Sequence, residues 1–332
     1  MSDLSLDAAT DDEGARQRMR AAWAPVVVVT GPTASGKSQA ALELAERFEG
    51  EVVNADSMQV YRLLDVGTAK PGAAERARVP HHLFDVVDPD VQYDAGRYAR
   101  EAAGAVEAIH ARGRPVFLVG GSGLYIKALL EGLSVGVGRD PELRRTLEAE
   151  AASARMEGDP ALLHRRLAEI DPTAARALHP NDLVRIVRAL ELHAATGVAP
   201  SVVQRGARGA QRWRVLQLAL DPGREALALR IDGRCEAMIA GGLLQEVRRL
   251  RDLGYGPELP SMRAIGYRHM QPVIDGLDTL VNVLEAMKRD TRRFARRQRT
   301  WLRGVAGVEW LPPEPVEALA LRVKRFLEGE LA

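Results

Sequence analysis

Apolar positions along this chain follow two periods. Residues 26–29 are four consecutive valines closed by Gly31-Pro32, a β-branched run that predicts a buried strand. Residues 51–55 and 115–119 predict two more strands, with a helical stretch over 95–111 between them. Strands alternating with helices imply an α/β fold built on a parallel sheet with right-handed crossovers. From about residue 140 to 197 the strand signal stops. Leu143, Leu147, Leu162, Leu163, Leu167, Ile170, Leu178, Leu183, Ile186, Val187 and Leu190 fall at the spacings of short amphipathic helices, punctuated by Pro141, Pro160, Pro172 and Pro180. This predicts a small all-helical insert over 140–200. Residues 198–211 read as a loop, 214–220 as a strand, and 224–240, 243–253 and 280–303 as helices. A last strand near 308–311 and a helix over 315–327 close the chain. Residues 1–24 are polar and aperiodic and read as a flexible extension, so 25–139 and 201–332 form two parts of one core.

Composition narrows the classes. A chain of 332 residues buries a sizeable core without staples, and its lone cysteine, Cys235, excludes an internal disulfide framework or a multi-cysteine zinc module. No apolar run approaches the roughly 20 residues that cross a bilayer, and the acidic N-terminus has no signal-peptide core. These features predict a cytoplasmic protein with no membrane partner. The net charge of +1 argues against a nucleic-acid partner, but its distribution argues the other way. Residues 288–303 hold Lys288, Arg289, Arg292, Arg293, Arg296, Arg297, Arg299 and Arg303, opposed within the segment only by Asp290. Met287, Phe294 and Trp301 recur every seven residues, which predicts a helix with an apolar seam and a broad arginine face. Such a face is ordinarily solvated, yet arginine forks also match phosphate oxygens, and a local basic face steers RNA on a nearly neutral protein.

The chemistry begins with Gly31-Pro32-Thr33-Ala34-Ser35-Gly36-Lys37-Ser38, a complete G-x-x-x-x-G-K-[ST] motif after a strand and before the helical run 39–48. Its glycines admit phosphate oxygens to the backbone amides, Lys37 neutralises phosphate charge, and the Ser38 hydroxyl suits Mg²⁺. The motif binds a di- or triphosphate and is shared by many nucleotide-binding enzymes. In Asn54-Ala55-Asp56-Ser57-Met58-Gln59-Val60-Tyr61, Asp56 stands at the carboxyl end of the second strand, where open α/β sheets bind ligands. It reads as a helix cap or structural acid on its own, and as a base or Mg²⁺ ligand beside the loop. His81 and His82 have no third metal donor at useful spacing and read as a packed or solvated pair. Gly120-Gly121-Ser122-Gly123 follows the third strand and offers the Ser122 hydroxyl at the same edge.

These segments together resemble the tRNA dimethylallyltransferases, also called tRNA isopentenyltransferases. The likeness takes in Asp65-Val66-Gly67-Thr68-Ala69-Lys70-Pro71, residues 80–89 and 119–133, and His179-Pro180-Asn181-Asp182. It continues through Arg188-Ala189-Leu190-Glu191, Ala264-Ile265-Gly266-Tyr267-Arg268 and Arg297-Gln298-Arg299-Thr300-Trp301-Leu302-Arg303, over about residues 25–312. Asp-Ser-x-Gln-Val-Tyr with Gly-Thr-Ala-Lys-Pro is far more specific than the phosphate loop.

The resemblance implies a P-loop nucleotide-hydrolase-like sheet flanked by helices, and a five-carbon transfer. A dimethylallyl group would pass from dimethylallyl diphosphate to the exocyclic amine of the adenosine 3′ of the anticodon, position 37, in tRNA. Asp56 would be the general base, and the phosphate loop with Mg²⁺ would hold the diphosphate leaving group. Ser122 stands where the family has threonine. An arginine near the diphosphate maps to Arg230 or Arg234. The tRNA anticodon stem-loop would meet Asp56, Ser57, Met58, Gln59 and Ser122. It would also meet Arg144, Val184, Arg185, Ile186, Val187 and Arg188 of the insert, and Arg263, Ala264, Ile265, Gly266, Tyr267 and Arg268. Loop bases are splayed for recognition and the reacting base is flipped out, here towards Asp56 between core and insert. Without the C-terminal zinc finger of eukaryotic relatives, the chain resembles the bacterial form; a large RNA substrate favours a monomer. A small-molecule kinase using ATP and an RNA-binding module without chemistry are the competing readings, both disfavoured by the two specific segments.

Overall fold

A computed structural model describes residues 24–132, 140–206, 212–313 and 315–331. The valine run forms β1 (Pro25–Thr30), and Val26, Val27, Val28 and Val29 are all fully buried. A strand so apolar on both faces belongs inside a parallel sheet, covered on each side. It lies between β4 (Val116–Val119) and β5 (Arg214–Leu220). With β2 (Glu51–Asn54), β3 (His81–His82) and β6 (Val308–Leu311) the order is β3-β2-β4-β1-β5-β6, every pair parallel.

Fourteen helices are described: α1 (Lys37–Arg47), α2 (Ala73–Arg78), α3 (Ala95–Ala111), α4 (Gly123–Glu131), α5 (Pro141–Met156), α6 (Leu162–Ile170) and α7 (Pro172–Arg176). After them come α8 (Leu183–Thr196), α9 (Pro200–Gly206), α10 (Arg224–Ala240), α11 (Leu243–Asp252), α12 (Tyr267–Ile274), α13 (Leu280–Arg303) and α14 (Val316–Leu327). One core joins Leu44 of α1 and Phe326 of α14 to Val27, Val29, Phe117, Leu218 and Leu220 of the strands. Each such side chain contributes roughly 1.5–3 kcal/mol on burial.

The strand ends decide where chemistry can occur. Val119 pairs in register with Val29 on one side and Asn54 on the other. Thr30 Oγ1 donates to the Gly120 carbonyl at 2.8 Å, and Ala55 N–H donates to the Val119 carbonyl at 2.7 Å. The carboxyl ends of β1, β2 and β4 are thereby tied into one edge, the crevice that open α/β sheets use for ligands.

The chain divides into two compact units, residues 131–210 and the remainder, and the first holds the helices expected over 140–200. Its own core gathers Leu147, Leu163, Leu167, Ile186, Val187 and Leu190. Capping sets its helices: Asp140 accepts from the Glu142 and Leu143 N–H groups, with Pro141 opening α5. Asp171, buried, accepts from the N–H groups of Thr173, Ala174 and Ser201.

Several expectations change. Residues 200–206 are helical where a loop was expected, and 207–211 lie outside the described residues, as does nearly all of the extension 1–24. Helix α1 starts at Lys37, two residues early, because Gly36 turns the chain directly into it. The pair His81-His82 forms the short edge strand. His82 Nε2 meets the Glu51 carboxylate at 2.6 Å, and the His81 ring packs edge-on against Phe84. No described helix is long and apolar enough to cross a membrane.

Candidate active site

The phosphate loop is shaped by two glycines. Gly31 has φ +141° and lies so close to the Leu220 carbonyl that a Cβ would stand 2.4 Å from it; Gly36 has φ +92°. Larger residues fit neither place. Helix α1 then begins with no side-chain cap and no acid in its first turn, leaving its N-terminal amides and dipole open to an anion. Lys37 Nζ reaches back to the Pro32 carbonyl at 3.3 Å, and the buried Ser35 hydroxyl has no hydrogen-bond partner among the described residues.

One cavity, about 680 Å³ with its open mouth, joins the predicted centres. Thr33, Lys37, Ser38, Asp56, Gln59, Gly120 and Arg234 line it, with Phe294 and Gln298 of α13. Asp56 is positioned by its own turn: Asn54 Oδ1 accepts its N–H at 2.9 Å, and Asp56 Oδ1 accepts the Met58 N–H at 2.9 Å. No helix begins at Asp56, so it is not a helix cap; its carboxylate closes a local turn and lines the cleft at once. Ser122 joins from the next strand, its Oγ accepting the Ser57 N–H at 2.9 Å and lying 3.2 Å from Ser57 Oγ.

Burial first, then the nearby Arg234 cation, lower the Lys37 ammonium against the opposing Asp56 carboxylate, and together they bring it down to about 8. The sign follows from linkage. The charged form is disfavoured in the folded cleft, so the stabilising contribution is complete above 10.5 and lost as pH falls through about 8. An anion in the cleft reverses this by favouring the ammonium. Diphosphate binding at about pH 8.5 is therefore expected to take up a fraction of a proton. Titration calorimetry in two buffers of different ionisation heat measures it; identical heats would remove Lys37 from the anion site.

The two arginines left open by the sequence occupy different places. Arg234 is half-buried, lines the cavity and donates to the Thr68 carbonyl at 3.2 Å. Its guanidinium is lowered by burial, with the Asp56 charge opposing. Arg230 is exposed and does not line the cavity, but its guanidinium lies about 3.4 Å from where a Gly36 Cβ would stand, beside the phosphate loop.

The segment 65–70 runs into Pro71, which lines the cavity, and is itself held by a set of side-chain hydrogen bonds. Lys70, its side chain 2% exposed, donates to the Tyr61 carbonyl, Asp65 Oδ1 and Asp85 Oδ1 at 2.7, 2.7 and 2.6 Å. Gln59 Nε2 donates to the Thr68 and Ala69 carbonyls. Glu246, on α11, accepts the N–H groups of Asp65, Val66 and Gly67 and the Tyr267 hydroxyl. Glu246 and Gln298 were missed in the sequence. Each is a polar residue on the apolar stripe of its helix, Glu246 beside Leu243, Val247 and Leu250, and Gln298 between Ala295 and Leu302. That misplacement was the available signal.

The other residues expected to meet tRNA differ in their surroundings. Ile186 and Val187 are core residues of the insert, and Tyr267 is buried against Glu246. Arg144 is committed to buried Glu191 through two hydrogen bonds of 3.0 and 2.7 Å. Val184, Arg185, Arg263 and Arg268 remain exposed, although Arg268 pairs with Asp290 at 2.6 Å. On α13 the seven-residue seam fails. Met287 is buried, while Phe294 and Trp301 are each 37% exposed, because an α-helix drifts about 20° per heptad. The buried stripe is instead Val283, Met287, Thr291, Ala295, Gln298 and Leu302. Nor is Asp290 alone in opposing the basic residues. Arg292 pairs with Asp232 at 2.6 Å, Arg299 with Asp221 at 2.8 Å and Lys288 with Glu236 at 2.8 Å, all acids of other segments.

A parallel sheet whose first strand feeds a phosphate loop, with a carboxylate, a lysine and a half-buried arginine around one cavity, defines a P-loop-like fold with a cleft suited to an anion. The model of the IPP transferase family matches residues 59–305, and the chain belongs to that family. It is 47% identical over 305 residues to the tRNA dimethylallyltransferase of Desulfatibacillum aliphaticivorans, covering 91% of this chain and 98% of that one. It is 52% identical to that of Anaeromyxobacter dehalogenans strain 2CP-C, covering 90% and 99%. Among solved structures, the tRNA isopentenylpyrophosphate transferase of Bacillus halodurans is similar with a TM-score of 0.67 and 37% identity, over 93% of this chain and 96% of that one. A eukaryotic dimethylallyltransferase acting on tRNA has a TM-score of 0.78 at 30% identity, over 92% and 80%.

Proposed function

We propose that this enzyme transfers the dimethylallyl group of dimethylallyl diphosphate to the exocyclic amine of adenosine 37 of tRNA. The observation that carries this reading is the meeting of Asp56, Lys37 and Arg234 in one cavity beside the open N-terminus of α1. The names of the relatives support it. The amine nitrogen attacks the donor's C1, the C1–O bond to diphosphate breaks, and Asp56 takes the proton that the amine nitrogen sheds. A neutral adenine amine is a weak nucleophile, so removing that proton as the C–N bond forms is where a base helps. The leaving diphosphate gathers negative charge, met by the loop amides, Lys37 and Arg234. Arg234 is the better placed of the two arginines, since it lines the cavity and Arg230 does not.

The donor set fits Mg²⁺. The Ser38 hydroxyl and Asp56 carboxylate are hard oxygens in one cavity, and no group of three or more His, Cys, Asp or Glu among the described residues could hold a metal alone. Mg²⁺ keeps several waters and binds through phosphates with one or two protein oxygens. When bound, it would neutralise charge on the diphosphate, with Ser38 as its protein ligand.

Purified protein, unmodified tRNA and labelled dimethylallyl diphosphate, with and without ATP, test the reaction. Label is expected in RNA without ATP. No label, with ATP turnover on a small alcohol, would replace transfer with kinase chemistry.

The basic face of α13 is proposed to bind tRNA phosphates, acting in a monomer. Arg296 and Arg303 are exposed and have no ion pair among the described residues, and Arg297 lies over the Phe294 ring at 5.7 Å. Replacing Arg296 or Arg303 with glutamine should reduce the salt dependence of tRNA binding by about one unit of slope. Arg292, already paired with Asp232, should change it less. Equal slopes for all variants would return the helix to a solvated face.

A further inference from the structure

The glycine run after β4 is crowded by α13. A Cβ on Gly121 would stand 2.3 Å from Gln298 Nε2, and one on Gly123 would stand 2.1 Å from Trp301 Nε1. Gln298 is 9% exposed and both ends of its amide are used. Oε1 accepts the Thr33 N–H of the phosphate loop at 2.8 Å, and Nε2 donates to the Gly121 carbonyl at 3.0 Å. Its orientation is fixed by its partners, because the flipped amide would set N–H against N–H and oxygen against oxygen.

We propose that Gln298 is a positioning residue that fixes the phosphate loop relative to the Ser122 loop, and so the diphosphate relative to the Asp56 side of the cleft. Each end of the bridge leads to reacting groups. Beyond Thr33, the Pro32 carbonyl holds both Lys37 Nζ at 3.3 Å and the Ser35 N–H at 3.2 Å. Beyond Gly121, the Ser122 N–H donates to the Ala55 carbonyl at 3.1 Å and Ser122 Oγ holds the Ser57 N–H at 2.9 Å. Thr30 Oγ1 ties the root of the phosphate loop to the Gly120 carbonyl at 2.8 Å, and Gln298 is the side chain that bridges the bodies of the two loops, from Thr33 to Gly121. The inference rests on the proposed transfer for its rate effect, while the bridge itself concerns any diphosphate in the loop.

Two near-isosteric variants test it. Gln298→Met removes both hydrogen bonds at similar volume. It should bind inorganic diphosphate about tenfold more weakly and lower the single-turnover rate at saturating substrates by about 10–100-fold, as misplacement on the ångström scale does. Gln298→Glu should match that defect when ionised, because its second oxygen then faces the Gly121 carbonyl. Protonated, the carboxyl regains a donor, so its activity relative to wild type should rise as pH falls while the Met ratio stays flat. A Met variant with wild-type diphosphate affinity, or a Glu variant that gains nothing at low pH, overturns the proposal. If wild type transfers no prenyl group but Gln298→Met still weakens diphosphate binding, the bridge stands and the proposed reaction falls.

Discussion

Asp56→Asn is expected to lower the single-turnover rate by roughly 10²–10⁴-fold, the range that general-base catalysis supplies, while both substrates still bind. Asparagine is the informative change because Asp56 does two things. Its Oδ1 accepts the Met58 N–H at 2.9 Å, and an amide oxygen keeps that bond. Alanine would remove that bond as well and mix a folding cost into the rate. The electrostatics sharpen the expectation. The Asp56 carboxylate raises Lys37 and Arg234 towards their charged forms, so its removal also takes one negative charge away from the anion site. Diphosphate binding should therefore hold or tighten while the chemical step fails. A donor affinity that collapses with the rate would make Asp56 a ligand for the donor assembly, and a near-normal rate would remove it from the base role.

The parts of this site legible in the sequence are those the chain writes contiguously. The valine run and Gly31 to Ser38 are adjacent, so strand, loop and helix N-terminus follow from eight residues and their flanks. Asp56 was legible because it ends a short apolar strand, and parallel sheets place such ends at one edge. What supports these residues was not legible. Thr33 meets Gln298 across 265 positions, and the Asp65 segment meets Glu246 across about 180. Sequence spacing does not encode such pairs; only the crossover of the sheet and the packing of α11 and α13 bring them together. The basic helix shows the same limit. Its charges are visible in order, but the acids that neutralise Arg292, Arg299 and Lys288 come from Asp232, Asp221 and Glu236 on neighbouring segments. The subset without an ion pair among the described residues, Arg296 and Arg303 above all, which is proposed to face RNA, emerges only after that subtraction.

Glu246 should prove the most costly single side chain to remove outside the cavity. It is 4% exposed, and its two oxygens accept three backbone N–H groups at 2.8–3.1 Å and the Tyr267 hydroxyl at 2.6 Å. Burial and this neighbouring carboxylate hold the Tyr267 phenol well above its ordinary range, so the hydroxyl stays a donor. Glu246→Ala strands those donors in a closed site. Each buried donor left unpaired costs about 1–3 kcal/mol, so a total loss of about 3–5 kcal/mol is expected after relaxation, read as a fall in the urea midpoint. Glu246→Gln should cost about 1–3 kcal/mol, because one amide oxygen replaces two acceptors. The consequence reaches the cavity. The Thr68 carbonyl, one residue beyond this clamp, takes hydrogen bonds from Arg234 and Gln59. In Glu246→Gln the donor KM should therefore rise even at temperatures where the variant is fully folded. Combining it with Arg234→Ala should give less than the product of the two separate effects, since both act through one guanidinium. Fully multiplicative effects would confine Glu246 to stability, and an unchanged urea midpoint in Glu246→Ala would show that the clamp contributes nothing.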